Sequence, residues 1–119
     1  MSLSKVLVVD DDPDLAAICS LVLESEGYET DVATNGAEAY DALNASDVDV
    51  VLLDIMMPVM DGITMCKMVK TDPRTCEVPV ILMSASEVLR NEAKKSCADA
   101  VIEKPFDIAV LLDTVGQFA

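Results

Sequence analysis

The sequence predicts an α/β protein built on a five-stranded parallel sheet with helices on both faces. Five short predicted strands alternate with segments whose apolar residues recur at helical spacing. Several of these strands are unbroken apolar runs, such as residues 50–53, whereas residues 28–33 alternate apolar and polar residues as an edge strand does. Unbroken runs of this length are typical of strands buried on both faces, as in the centre of parallel sheets. Regular alternation of strand and helix favours right-handed crossovers, and therefore one doubly wound sheet.

Residues that favour helix ends mark several of the predicted boundaries. Asp12 and Pro13 indicate the start of the first helix, because aspartate is a favoured N-cap and proline suits the first helical position. Asp61 indicates the start of the third helix, and Gly27 the end of the first. The predicted strands lie at 5–9, 28–33, 50–54, 78–83 and 99–102. The first predicted helix begins at residue 13 and ends before Gly27, and the other helices lie at 37–44, 61–70, 87–96 and 107–117. The apolar residues expected to face the core from the first helix include Leu15, Ile18 and Val22.

The length of 119 residues and the apolar content of 52% indicate one folded domain, which we expect to occupy residues 1–119. No apolar run approaches the roughly 20 residues needed to cross a bilayer, so we expect no membrane segment. Residues 1–4 lack the apolar stretch of a secretory signal, and we expect them to be an expression remnant or disordered. The predicted location is the cytoplasm.

The chain is strongly acidic, with 22 acidic and 8 basic residues and a net charge of −14. Such a charge repels phosphate backbones and anionic lipid headgroups, so we expect no direct binding of nucleic acid or membrane. Solubility, or adaptation to a salty cytoplasm, explains surface carboxylates in general. Carboxylates that follow predicted strands need a separate explanation.

Four cysteines are scattered along the chain without a C-x-x-C motif, and there is no histidine. This pattern does not provide the ligands of a zinc site. In a chain without a secretory signal, we expect reduced and mainly buried thiols. The cysteines are Cys19, Cys66, Cys76 and Cys97.

Polar side chains follow four of the predicted strands. Because the carboxyl ends of parallel strands meet at one edge of a sheet, we expect these side chains to converge. Three carboxylates crowded together repel by about 1 kcal/mol per pair at 4 Å in water, and about 4 kcal/mol at an effective dielectric of 20. Mg²⁺ is the natural counter-charge, because it binds one or two carboxylates together with waters and phosphate oxygens. The converging residues are Asp10, Asp11, Asp54, Ser84 and Lys104.

An acidic cluster with one lysine, one hydroxyl and Mg²⁺ is suited to phosphoryl transfer, in which positioning and charge neutralisation dominate. Asp54 ends the most buried strand and is the best nucleophile candidate, since a carboxylate can carry a phosphoryl group as an acyl phosphate. Lys104 suits a phosphate oxygen as a point charge, and Ser84 adds a donor. Taken singly, these two residues are more often an ordinary surface lysine and a turn hydroxyl. Their position at the ends of different strands makes the combination much more specific.

Four ordered motifs carry a resemblance that covers essentially the whole chain. They are VLVVDDDP at 6–13, LLDIMMPVMDG at 52–62, ILMSA at 81–85 and KPF at 104–106. Together they resemble the receiver domains of two-component response regulators. The resemblance implies a flavodoxin-like fold with strand order 2-1-3-4-5 and five helices.

The resemblance also implies the role of each carboxylate. Asp54 would accept a phosphoryl group from the phosphohistidine of a sensor histidine kinase or a histidine phosphotransfer protein. Asp11 and Asp54 would ligate Mg²⁺ directly, Asp10 would do so through water, and Met56 would contribute its backbone carbonyl. A domain of this kind acts only on its own phosphorylation state and is not an enzyme with a separate substrate.

The same resemblance assigns a switch at the other two strand ends. Lys104 would pair with the phosphate, next to a cis bond to Pro105, and Ser84 would bond the phosphate as the switch hydroxyl. Many receivers have an aromatic residue three positions before the lysine, where this chain has Val101. Valine has no ring to swing, so we expect the signal to leave through the Ser84 loop and the fourth helix.

The last helix is more apolar than one core-facing side requires. We expect some of its apolar residues to be exposed and, with the fourth helix and fifth strand, to form a contact surface for homodimerisation or partner docking. The residues assigned to this surface are Ile108, Val110, Leu111 and Leu112.

Two other functions fit parts of the sequence. A receiver-like docking module that works without phosphorylation has the same fold, although the intact strand-end residues argue against it. A haloacid-dehalogenase-like phosphatase would use the Asp10-x-Asp12 pattern, but it needs an acidic pair after the lysine, and only Asp107 and Asp113 follow Lys104. A flavin-binding module is disfavoured, because no Ser/Thr/Gly-rich phosphate loop follows the first strand.

Overall fold

The computed structural model describes residues 4–57 and 60–119, and in these ranges five strands alternate with five helices. Residues 1–3, for which an expression remnant or disorder is expected, lie outside the described residues. The motif residue Pro58 does so as well. The carbonyl of Ser4 accepts a hydrogen bond from the N–H of Glu29 at 3.0 Å. The strands are β1 Lys5–Val9, β2 Glu29–Ala33, β3 Val50–Asp54, β4 Val80–Ser84 and β5 Ala100–Glu103, and the helices are α1 Pro13–Ser25, α2 Gly36–Ala45, α3 Gly62–Thr71, α4 Glu87–Lys94 and α5 Ile108–Phe118.

All strand pairs are parallel, and the strand order is β2-β1-β3-β4-β5, which confirms the predicted fold class. β3 and β4 are buried along their whole length, as their unbroken apolar runs predict. The register pairs Val9 with Leu53 and Leu53 with Leu82. The carboxyl ends of the central strands therefore lie at nearly the same level.

Two cores lie on opposite faces of the sheet, because neighbouring residues of each strand point to opposite sides. Val51 and Leu53 of β3 pack with α2, α3 and α4, while Val50 and Leu52 pack with α1 and α5. The helices therefore cover both faces, as the alternating pattern predicts.

The structure confirms the predicted helix caps. The Asp12 carboxylate accepts hydrogen bonds from the N–H groups of Asp14 at 3.0 Å and Leu15 at 3.4 Å. Asp61 accepts one from the N–H of Thr64 at 2.8 Å. Gly27 has a φ of +89°, a left-handed conformation that favours glycine after a helix.

The predicted inner face of α1 holds for Leu15 and Val22, which are partly buried against the core, and is wrong for Ile18. Ala16 and Cys19 lie in the core, whereas Ile18 is 58% exposed. The buried face passes through Ala16, Cys19 and Leu23, and Ile18 lies beside this face on the solvent side. Helical periodicity alone assigns the larger apolar residues to the core. In the structure, the smaller Ala16 and Cys19 occupy that position.

One residue assigned to the contact surface of α5 is misplaced. Leu111 is only 1% exposed and packs in the core with Val115, which lies one turn further along the same helix face. Leu112 is partly buried against the same core. Ile108 and Val110 are 57% and 47% exposed, so the exposed part of the surface is smaller than predicted.

Candidate functional site

The site lies where four parallel strands end at one rim of the sheet. Asp10 follows β1, and its N–H donates to the carbonyl of Ala33 on β2 at 3.1 Å. Asp54 and Ser84 are the last residues of β3 and β4. Asp10 is 1% exposed and Asp54 5% exposed, so two carboxylates are nearly removed from water.

Three carboxylates converge at this rim. Asp10, Asp11 and Asp54 each offer an oxygen, and these oxygens lie within 4.8 Å of one another. Asp11 is exposed, which leaves one side of the cluster open to solvent. Hard carboxylate oxygens with an open side fit Mg²⁺, which keeps waters and adds phosphate oxygens as further ligands.

Lys104 is the cation that faces this cluster. Its Nζ lies 3.1 Å from Asp10 Oδ2 and 3.1 Å from Asp54 Oδ1, so one ammonium bridges two buried carboxylates. Burial alone would lower the pKa of Lys104, but the hydrogen bonds and charges of Asp10 and Asp54 outweigh it and raise the pKa. The ammonium therefore stays charged. The bond to Pro105 is cis, as the resemblance implies.

Burial raises the pKa of the Asp54 carboxyl to about 6. The ammonium of Lys104 acts in the opposite direction, and the charge of Asp10 adds to the increase. A hydrogen bond from the Met56 backbone also favours the ionised form. Asp54 is thus a carboxylate whose negative charge is only partly compensated by the protein, and a further cation would favour its ionised form.

Gly62 allows α3 to begin directly against the end of β3. Its N–H donates to the carbonyl of Ile55 at 2.8 Å. A Cβ on Gly62 would lie 2.3 Å from the carbonyl oxygen of Asp54 and 2.8 Å from Ile55 Cα, closer than real Cβ contacts come. The glycine is therefore required by close backbone packing next to Asp54.

Ser84 is fully buried at the end of β4. Its hydroxyl donates to the carbonyl of Ser86 at 2.8 Å. Ser86 is the N-cap of α4, where its own hydroxyl accepts from the N–H of Leu89 at 3.1 Å. A short chain of hydrogen bonds thus joins the rim to the start of α4.

The two remaining predicted site residues are Met56 and Val101. They lie close to the rim, but their side chains are not part of the carboxylate cluster. Met56 follows Asp54 by two residues, and its side chain is mostly exposed. Val101 is partly buried in β5 and packs against the core that contains α3 and α4.

A surface cavity of about 600 Å³ opens beside the cluster, and sequence reasoning did not find it. Asp11, Met56 and Asp61 line it from the loop side, and Leu89 and Glu92 line it from α4. The helical pattern of α4 carries no sign of a site. Only the three-dimensional packing of α4 beside the β3–α3 loop brings its residues to the rim.

Within the part of the chain that the structure describes, no helix has the length and apolar character needed to cross a membrane.

The site and fold define a signalling domain of a known class. Residues 6–116 match the family model described as the response regulator receiver domain. The chain belongs to this family, and the domain is a receiver domain of two-component response regulators.

Two curated relatives illustrate the match. The DNA-binding dual master transcriptional regulator RpaA of Synechocystis is 32% identical over 93% of this chain and 47% of its own length. The DNA-binding response regulator MtrA of Mycolicibacterium smegmatis is 39% identical over 86% of this chain and 44% of its length. The chain therefore spans about half the length of the curated relatives it matches.

Solved structures agree with the fold. The chemotaxis response regulator CheY4 of Vibrio cholerae has a TM-score of 0.90 at 29% identity, and the match covers 99% of this chain and 100% of the CheY4 chain. The receiver domain of the Francisella response regulator 1452 has a TM-score of 0.86 at 37% identity, and the match covers 97% of this chain and 95% of that chain.

Proposed function

We propose that Asp54 is the phosphoacceptor of this receiver domain and that its donor is the phosphohistidine of a sensor histidine kinase or a histidine phosphotransfer protein. A carboxylate oxygen of Asp54 attacks phosphorus, and the phosphorus–nitrogen bond to the imidazole breaks. The leaving nitrogen keeps the bonding electron pair and takes up a proton. The observation that carries this proposal is the position of Lys104, whose ammonium lies 3.1 Å from both Asp10 and Asp54.

We propose Mg²⁺ as the ion of the site. Asp11 and Asp54 would hold it directly, Asp10 through water, and Met56 through its backbone carbonyl. When bound, the ion supplies positive charge beside the oxygens of the transferring group. Lys104 keeps an ammonium beside Asp54, where it pairs with the phosphate. The hydrogen bond from the Met56 backbone and the burial of Asp54 restrict the orientation of its carboxylate.

The test is the intact mass of the native chain after incubation with acetyl phosphate and Mg²⁺. We expect one added phosphoryl group, no addition when Mg²⁺ is removed by a chelator, and none in Asp54→Asn. A folded native chain that takes up no phosphoryl group would favour the alternative, a docking module that works without phosphorylation. Steady release of phosphate from unrelated esters would instead favour a phosphatase.

We propose that the signal leaves the site through Ser84 and α4. The hydrogen bond from Ser84 to Ser86 at 2.8 Å supports this route, because movement of the hydroxyl toward a phosphate breaks a contact with the N-cap of α4. Val101 offers no ring for a second relay. Structures with and without phosphate should show a larger displacement at the Ser84 loop than at Val101, and equal displacements would contradict this route.

The contact surface for homodimerisation or partner docking is proposed for α4, β5 and α5, with its exposed large apolar residues on the two helices. Val88, Ile108 and Val110 are exposed, and they support such a surface more directly than the buried Leu111. Sedimentation of the native chain and of Val110→Ser tests dimerisation. We expect association that strengthens on phosphorylation and weakens in the variant. A chain that stays monomeric at high concentration in both states would contradict it.

We further propose that one receiver domain occupies the chain and that it acts in the cytoplasm. The names of the relatives RpaA and MtrA state DNA binding, and those proteins are about twice as long as the segments matched here. The net charge of −14 opposes contact between this domain and a phosphate backbone. Binding of the isolated domain to duplex DNA at low salt would contradict this part of the proposal.

A further inference from the structure

Two thiols that are distant in sequence lie next to each other. Cys66 is a buried residue of α3, and Cys97 is an exposed residue of the turn between α4 and β5. Their Sγ atoms are 3.7 Å apart. The two sulfurs are in van der Waals contact, and a disulfide, with about 2.05 Å between sulfurs, requires them to approach further.

The neighbourhood of the pair is held in place on both sides. Lys70 lies four residues after Cys66 on the same face of α3, and its Nζ pairs with Asp99 at 2.7 Å. Asp99 also accepts from the N–H of Val80 at 2.8 Å. Because Asp99 lies two residues after Cys97, this network fixes the turn against α3. The proximity of the thiols is therefore part of the local packing.

Solvent reaches the pair from one side only. Cys97 lines a surface cavity of about 450 Å³ together with Lys67 and Ser96, whereas Cys66 lies behind it in the core. Burial, followed by the hydrogen bond with Cys97, raises the pKa of Cys66 to about 12. Cys66 is therefore protonated at neutral pH, and an oxidant meets Cys97 first.

We propose that Cys66 and Cys97 form a reversible redox pair, in which a hydroperoxide oxidises Cys97 and Cys66 then closes a disulfide between α3 and the α4–β5 turn. Disulfides in reducing compartments are usually transient and redox-sensing, which fits a pair that is reduced in the resting fold.

Both steps balance with hydrogen peroxide as the oxidant. The Cys97 sulfur attacks one peroxide oxygen, the oxygen–oxygen bond breaks, and water and a sulfenic acid are formed. The Cys66 sulfur then attacks the Cys97 sulfur, and the sulfur–oxygen bond breaks. The hydroxide leaves as water with the proton of Cys66. Two thiols lose two electrons in total, and the peroxide is reduced to water. The second step is intramolecular, which offsets the small thiolate fraction of Cys66.

The disulfide would restrain α4. The covalent ring from Cys66 to Cys97 contains β4, Ser84 and the whole of α4. α4 has only one buried residue, Ala93, so its local stability is expected to be low in the reduced chain. Closing the ring reduces the freedom of this segment in its open states. This inference does not depend on phosphorylation of Asp54.

The test treats the dilute, reduced native chain with hydrogen peroxide and maps its peptides without reductant. The variant is Cys97→Ser, and the matched control is Cys76→Ser, which removes another cysteine that is not fully buried. We expect a linked Cys66–Cys97 peptide in the native chain and in the control, its loss on addition of dithiothreitol, and no such peptide in Cys97→Ser.

A second measurement, amide hydrogen exchange in residues 87–94, tests the restraint. We expect exchange to slow several-fold on oxidation of the native chain and the control, and to stay unchanged in Cys97→Ser. Oxidation of Cys97 to a sulfinic acid without a linked peptide would overturn the proposal. Linkage through Cys76 instead, or unchanged exchange in α4 of the linked chain, would overturn it as well. Each readout is independent of phosphoryl uptake, so failure here is distinct from failure of the proposed function.

Discussion

At the scale of single residues, the site is dominated by three carboxylates and one ammonium. Lys104 contacts Asp10 and Asp54 at 3.1 Å each, and the open side of the cluster lies at Asp11. The convergence of these residues could be predicted from sequence, because each follows a strand of a parallel sheet. The protonation state of Asp54 could not be predicted from sequence, because its pKa depends on burial and on distances that only the fold defines.

Replacing Lys104 should slow phosphoryl uptake. Lys104→Met removes the ammonium that pairs with the phosphate, and loss of one such stabilising group typically costs roughly 10²–10³ in rate. The measurement is the rate of mass increase with acetyl phosphate and Mg²⁺. The matched control, Lys95→Met, removes an exposed lysine at the end of α4 and should react like the native chain. Equal rates for both variants would contradict the role of Lys104.

Replacing Asp54 should stabilise the metal-free fold. Its folded pKa of about 6 lies above the unfolded value of 3.8, so ionisation of Asp54 opposes folding. The stability associated with this group is fully present below pH 3.8 and is lost as pH rises through about 6. In a chelator, the free energy of unfolding of Asp54→Asn should exceed that of the native chain by about 3 kcal/mol at pH 7.5, and the difference should shrink toward pH 4. Urea unfolding at both pH values checks this; a less stable variant at pH 7.5 would contradict it.

At the scale of elements, the strand ends and helix starts position the site. The unbroken apolar run of β3 predicts a strand that places Asp54 at the rim, and Asp61 caps α3 as expected. The face of α1 was predicted less well, because Ala16 and Cys19 pack against the sheet in place of the larger Ile18. Leu111 of α5 was assigned to the surface for a related reason. An almost uniformly apolar helix does not reveal from sequence which side meets the core.

Gly62 provides a test at this scale. Gly62→Ala would place a Cβ 2.3 Å from the carbonyl oxygen of Asp54, so α3 or the end of β3 must move. Overpacking of this kind typically costs about 1–3 kcal/mol, and here the obstacle is backbone. We expect lower stability in urea and slower phosphoryl uptake.

The matched control for Gly62 is Gly116 in α5. A Cβ on Gly116 would have Tyr28 Oη as its nearest neighbour, at 3.8 Å, which is an ordinary contact. Gly116→Ala should therefore gain about 0.5–1 kcal/mol from higher helix propensity. Equal effects of the two substitutions would show that the close approach at Gly62 is unimportant.

At the scale of the whole molecule, the overall negative charge of the chain and the acidic rim respond differently to cations. A net charge of −14 destabilises the compact state through general self-repulsion, which any salt screens. A specific site adds stabilisation that grows with the concentration of the bound ion. The strand order and both layers of helices could be predicted from the alternating pattern. The nearness of Cys66 and Cys97 could not, because it depends on how the α4–β5 turn packs against α3.

Mg²⁺ should therefore stabilise the native chain more than NaCl does at equal ionic strength. The difference should disappear in Asp11→Asn, which removes a carboxylate of the cluster, and persist in Asp41→Asn, which removes an exposed carboxylate of α2. Thermal unfolding of the three proteins in both salts is the measurement. If Mg²⁺ and NaCl gave the same midpoints for the native chain, the acidic rim would act only through general charge.

The central claim is that the transferred phosphoryl group resides on Asp54, and chemical location of the acyl phosphate tests it most directly. The native chain is phosphorylated with acetyl phosphate and Mg²⁺ and then reduced with borohydride, which converts an aspartyl phosphate into homoserine. We predict that peptide sequencing by mass finds homoserine at position 54. Homoserine at Asp10 or Asp11, or at no aspartate of a chain that has gained a phosphoryl group, would contradict the account.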